Sequence, residues 1–86
     1  SGILKAANRW HQNGLIAKAE RTYRQILDTD PDHAPALYAY GQLMARKGDH
    51  QAAAVAFSRL SAVTPQLAKA WLRLGAALQA LGRHAD

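Results

Sequence analysis

The chain has 86 residues, no cysteine, and a formal net charge of +5 from 11 lysines and arginines against 6 aspartates and glutamates. That length makes one domain, which buries only about 60% of its unfolded surface. Disulfides, zinc–thiolate sites and thiol nucleophiles are excluded outright. No apolar run approaches the roughly 18 residues of a membrane helix, the longest running from Ala52 to Phe57.

Five helices are expected in order, with no segment of period two. The first spans about Ile3 to Asn13, with Ile3, Ala6, Ala7 and Trp10 inward. The second spans about Ile16 to Asp28, with Ile16, Ala19, Tyr23 and Ile26 inward. In the third, Leu37, Tyr40, Gly41 and Met44 fall at i, i+3, i+4 and i+7, one apolar stripe. Gly48 ends it, and Asp49 is placed to accept a backbone N–H at the start of the fourth. Ala53, Phe57 and Leu60 share a face of the fourth helix, which must stop before Pro65. The fifth runs from about Leu67 to Leu81, and Gly82 to Asp86 has the composition of a turn and the first residues of a sixth.

The elements recur. Gly14, Gly48 and Gly82 stand 34 residues apart, as do Ala7, Gly41 and Gly75, and Ile3, Leu37 and Trp71. Pro31 and Pro65, Ala19 and Ala53, and Tyr23 and Phe57 keep the same interval. Small residues such as Gly41, Gly75, Ala19 and Ala53 would let helix axes approach to about 8–10 Å. The rings of Tyr23 and Phe57 would fill the groove beside each close approach.

On these residues the chain resembles the tetratricopeptide repeat family, whose period is 34. Trp71, Leu74, Gly75 and Leu78 follow its W-x2-L-G-x2-Y helix with leucine in the tyrosine place, and Ala53, Phe57 and Pro65 supply its second-helix elements. The first repeat departs most, with Ala7 for the glycine and Trp10 for the tyrosine. The resemblance implies an all-α fold, an α-solenoid of antiparallel helix pairs in a right-handed superhelical stack. About two and a half repeats are expected, over 1–33, 34–67 and a partial 68–86. Ser1-Gly2 reads as a tag scar, and the partial third repeat as the cut edge of a longer protein. Leu74, Leu78 and Leu81 would then lie open, a surface for self-association.

The resemblance also implies a protein–protein interaction scaffold that binds a peptide or helix of a partner in its concave groove. The alternative is an accessory repeat domain of a larger bacterial enzyme, such as a transferase, positioning substrate or joining subunits. The groove face of each first helix carries Lys5, Asn8, His11 and Gln12; then Pro35, Tyr38, Gln42, Ala45 and Arg46; then Lys69, Leu72, Arg73, Ala76 and Gln79. The candidate partner-binding residues among them are Lys5, Asn8, Gln12, Tyr38, Gln42, Arg46, Lys69, Leu72 and Arg73. Some family members clamp a C-terminal carboxylate with lysine, asparagine and arginine. Asn8, Lys69 and Arg73 occupy three of the five positions, while Leu4 and Ala39 stand where lysine and asparagine are expected. An acidic segment or a C-terminal carboxylate is accordingly the expected ligand feature.

Other chemistries fit less well. Lys18, Arg21 and Arg24 make a basic edge on the second helix, and Arg46-Lys47 and Arg59 add to the basic total. Glu20, Asp28, Asp30 and Asp32 interrupt it, and no aromatic is interleaved for base stacking, which argues against nucleic acid. Asp28, Asp30 and Asp32 begin like a calcium loop, but His33 stands where glycine is needed and Ala39 where glutamate is. His50 and His84 are equivalent positions too far apart to share a zinc. Ser58 and Ser61 lack a nucleophile elbow or an evident base. No catalytic residue, metal or cofactor is expected, and the expected compartment is the cytoplasm, with the periplasm as alternative.

Overall fold

The computed structural model describes residues 2–85. It comprises α1 (Gly2–Gln12), α2 (Ile16–Thr29), α3 (Ala34–Lys47), α4 (His50–Val63) and α5 (Ala68–Ala85), with no strand among the described residues. Each helix packs on the next in sequence, and α1 also touches α3. The result is an α-solenoid of antiparallel helix pairs.

The repeat is visible in the backbone hydrogen bonds of the turns. After α1, the Gly14 N–H donates to the His11 carbonyl (3.1 Å) and the Leu15 N–H to that of Trp10 (2.8 Å). One period later, Gly48 donates to Ala45 (3.1 Å) and Asp49 to Met44 (2.9 Å). Both glycines take φ near the left-handed helical region, 81° at Gly14 and 88° at Gly48, which lets the chain reverse while satisfying the last carbonyls. The turn before α4 has an additional feature: Asp49 Oδ1 accepts the Ala52 N–H at 3.1 Å. Leu15, its counterpart before α2, makes no such side-chain bond. Before α3 the cap is His33, whose Nδ1 accepts the Ala36 N–H at 3.2 Å, and Pro35 follows in the first turn, where a missing N–H costs nothing.

The core lies between the helices of each pair and between adjacent pairs. Ala7, Ala19, Tyr23, Leu37, Met44, Ala53, Phe57 and Leu60 are all buried, as the spacing predicts. Phe57 lies so close to Gly41 that a Cβ added there would fall 2.5 Å from the ring Cε1. Leu43 and Ala36, which the predicted stripe leaves out, are fully buried as well. They widen the apolar face because α3 is packed against α4, α2 and α1 at once.

The two ends differ from expectation. Ile3 is 58% exposed rather than inward, because no described helix flanks α1 on the side where α2 flanks α3. Trp71, one of its counterparts, is about half exposed too, with Nε1 donating to the Pro65 carbonyl (2.8 Å). Gly75 admits no close approach, since nothing lies within 4 Å of where its Cβ would be. α5 does not end at Leu81: it continues through Gly82 to Ala85, and Gly82 keeps a helical φ. Gly14 and Gly48 reverse the chain onto a facing helix, whereas no described residue follows Ala85. Asp86 lies outside the described residues.

Part of the charge on the second helix is paired. Glu20 holds Arg24 at 3.0 Å and Lys47 of α3 at 2.5 Å, and the nearby Tyr40 hydroxyl, then Glu20, push the Arg24 guanidinium further above its ordinary pKa. Lys18 sits 4.5 Å over the Trp10 ring, and Arg59 bonds Asp32 at 2.9 Å.

Candidate functional site

The first helix of each pair presents one face to its partner and leaves another free. Between the free faces of α1 and α3 lies an open cleft of about 500 Å³. Asn8, His11 and Gln12 form one wall; Pro35, Tyr38, Ala39, Gln42 and Arg46 form the other. Five of the nine residues proposed from sequence therefore share this cleft: Asn8, Gln12, Tyr38, Gln42 and Arg46. A smaller hollow of about 150 Å³ follows between α3 and α5, where Gln42 and Arg73 meet His50, Phe57 and the small residues Ala45, Ala76 and Ala77.

Gln42 lines both spaces, and Tyr38 of the cleft touches two residues of the hollow. The Tyr38 ring meets the buried Phe57 edge-on, with centroids 6.3 Å apart, and carries the Arg73 guanidinium 5.9 Å from its own centroid. This arrangement couples a cation on α5 to an aromatic on α3. Lys5, Lys69 and Leu72 line neither space; all three are exposed, Leu72 at 74%. The three residues matching a carboxylate clamp are thus distributed, with Asn8 in the cleft, Arg73 in the hollow and Lys69 on the open face.

Behind the cleft wall is a hydrogen-bond network that sequence reasoning missed. The Tyr23 hydroxyl, on α2, is buried and donates to Asn8 Oδ1 at 2.6 Å. His11 Nδ1 lies 3.2 Å from the same hydroxyl, with the two rings edge to face at 6.0 Å. A hydroxyl has one proton, and Tyr23 gives it to Asn8, so His11 must donate from Nδ1. The order of donation runs His11 to Tyr23 to Asn8. It engages the Asn8 carbonyl oxygen and leaves its NH2 as the remaining group of that amide. Arg46 closes the arrangement from α3, donating from its guanidinium to the His11 carbonyl at 3.2 Å. The signal available in the sequence was the hydroxyl itself: Tyr23 stands where the next repeat has Phe57.

Burial and the Arg46 charge both disfavour an imidazolium, burial more, so His11 titrates below its usual range. Burial pushes the Tyr23 phenol up. No carboxylate lines the cleft or the hollow among the described residues. The acidic side chains lie elsewhere: Glu20 and Asp28 on α2, Asp30 and Asp32 in the next turn, Asp49 as a cap.

Of the other sequence candidates, Ser61 is buried and donates its hydroxyl to the Ser58 carbonyl at 2.8 Å. Asp32 is engaged by Arg59, and no group of three or more acidic or histidine residues among those described could hold a metal. The His84 side chain lies outside the described ones. Among the described residues, no helix is long and apolar enough to cross a membrane.

Residues 11–66 match the family model described as the tetratricopeptide repeat. No curated protein sequence matches the chain.

Proposed function

We propose, since the chain belongs to the tetratricopeptide repeat family, that it is a protein–protein interaction scaffold whose groove holds a peptide or helix of a partner. The line of contact runs from Lys5, Asn8 and Gln12 over Tyr38, Gln42 and Arg46 to Lys69, Leu72 and Arg73. The supporting observation is the open α1–α3 cleft, where five of these residues surround one space with no carboxylate among them. Tyr38 and Arg73 are the anchors of this reading, because aromatic and arginine side chains dominate binding energy at interfaces. A partner segment rich in carboxylates, or ending in one, complements the cations at Arg46, Lys69 and Arg73. The division into repeats 1–33, 34–67 and 68–86 belongs to the same proposal.

A pull-down with this domain, followed by binding measurements on Tyr38→Ala and Arg73→Ala, tests the reading. Each substitution should weaken the captured partner about tenfold or more, the range of an interface hot spot. Unchanged affinity in both would remove the groove as the binding face.

A second reading rests on a different surface. Val55, Leu74, Leu78 and Leu81 line an apolar trough of about 620 Å³ between α4 and α5, on which Leu78 is 53% exposed. Its counterpart one period earlier, Met44, is 1% exposed beneath α4. An exposed apolar surface of this kind suits self-association, or an accessory domain that holds the subunits of a larger bacterial enzyme together.

A further inference from the structure

We propose that the α1–α3 cleft takes a carboxylate of an acidic peptide and takes up a proton on His11 as it does so, so that binding tightens as pH falls. This rests on the groove reading above, its carboxylate ligand included, and adds to it the regulation of that site by protonation of His11.

The geometry carries three steps. First, the cleft offers donors and no anion: the Asn8 NH2, whose oxygen is engaged by Tyr23, and the Arg46 guanidinium, which also reaches the His11 carbonyl. Such a surface complements an acceptor, and a carboxylate makes the strongest bonds to it. Second, His11 lines the same cleft and already donates from Nδ1 to Tyr23, whose proton is committed to Asn8. A second proton therefore goes to Nε2 and turns that atom from acceptor to donor, leaving the network as it stands. Third, the groups facing His11 are Tyr23 from α2, and Arg46 and Tyr38 from α3, across from Asn8 and Gln12 of its own helix. Arg46 is the one charge among them, and it opposes the imidazolium. A ligand carboxylate beside Arg46 offsets that charge and favours the protonated ring. The proton comes from solvent, and no bond other than N–H is made or broken.

The test uses a labelled hexa-aspartate peptide with a free C-terminus, which stays ionised above pH 5, and hexa-asparagine as its neutral counterpart. The aspartate peptide should bind about fivefold tighter at pH 5.5 than at pH 7.5, the effect of raising one histidine pKa by about one unit on binding. NMR titration of the His11 ring should show that rise directly in the complex. His11→Asn, which keeps a donor for Tyr23, should abolish the pH dependence, while His50→Asn, in the neighbouring hollow, should preserve it. Aspartate-peptide binding that is flat with pH, or a pH dependence that survives His11→Asn, overturns the proton uptake and leaves the groove reading intact. No binding of either peptide at either pH overturns the acidic-ligand reading itself. Equal binding of the neutral peptide overturns the choice of a carboxylate.

Discussion

Phe57 presses on Gly41 with no room for a methyl group between them: three ring carbons would lie 2.5, 2.7 and 2.9 Å from a Cβ on that glycine. The contact joins the two helices of the middle pair. Gly41→Ala should therefore destabilise the fold by about 1–3 kcal/mol, the cost of overpacking a filled core. Gly75 occupies the equivalent place in α5 with nothing within 4 Å. There the same substitution gains helix propensity, and Gly75→Ala should stabilise by up to about 1 kcal/mol. Chemical denaturation of the two variants should move the midpoint in opposite directions. A shared direction would show that the periodic glycines act alike, against the geometry.

The turn between α3 and α4 is held by two local devices. Asp49→Ala removes the acceptor of the Ala52 N–H and should cost about 1 kcal/mol. Gly48→Ala forces a Cβ into φ 88° and should cost about 1–2 kcal/mol. Thermal melts followed by circular dichroism would read both. The losses fall within one turn and share residues, so the double variant is expected to lose less than the sum.

Acid should weaken the fold slightly through His11. Its folded-state pKa lies below the ordinary imidazole value of about 6.5, because burial and then Arg46 penalise the imidazolium. Folding therefore favours the neutral ring. The contribution is fully present above about pH 6.5 and is lost as pH falls through the folded-state value. The ring is partly solvated, so the effect should stay under about 1 kcal/mol. Stability of His11→Asn measured across this window should show a shallower acid decline than the parent; parallel curves would count against it.

Leu78 provides the test of self-association. Leu78→Lys places a charge in the trough between α4 and α5, on a side chain already half exposed. Sedimentation equilibrium at millimolar concentration should show the parent associating and the variant doing so more weakly. A monomeric parent would dispose of the idea.

The middle of the molecule was legible in the sequence because its residues are enclosed on every side that the periodicity implies. Leu37, Gly41, Met44, Ala53, Phe57 and Leu60 are buried where the 34-residue spacing puts them. Ile3, Trp71 and Gly75 carry the same pattern, but no described helix covers them. Periodicity specifies which way a residue faces; what covers it comes from the stack. That Asn8 and Gln12 share a face of α1, and Tyr38, Gln42 and Arg46 a face of α3, was likewise legible from helical spacing. The Tyr23 network was not, because it crosses from α2 to α1 through a hydroxyl that apolar periodicity counts as core.

The order of helix contacts has a kinetic consequence. Apart from the touch between α1 and α3, appreciable packing joins only helices that follow one another along the chain. Few distant segments must find each other before native structure is rewarded, so this domain should fold quickly, on the microsecond-to-millisecond scale of helical proteins with local topology. Amide exchange should be slowest in α3, which packs against three helices, and fastest in α5, which packs appreciably on α4 alone.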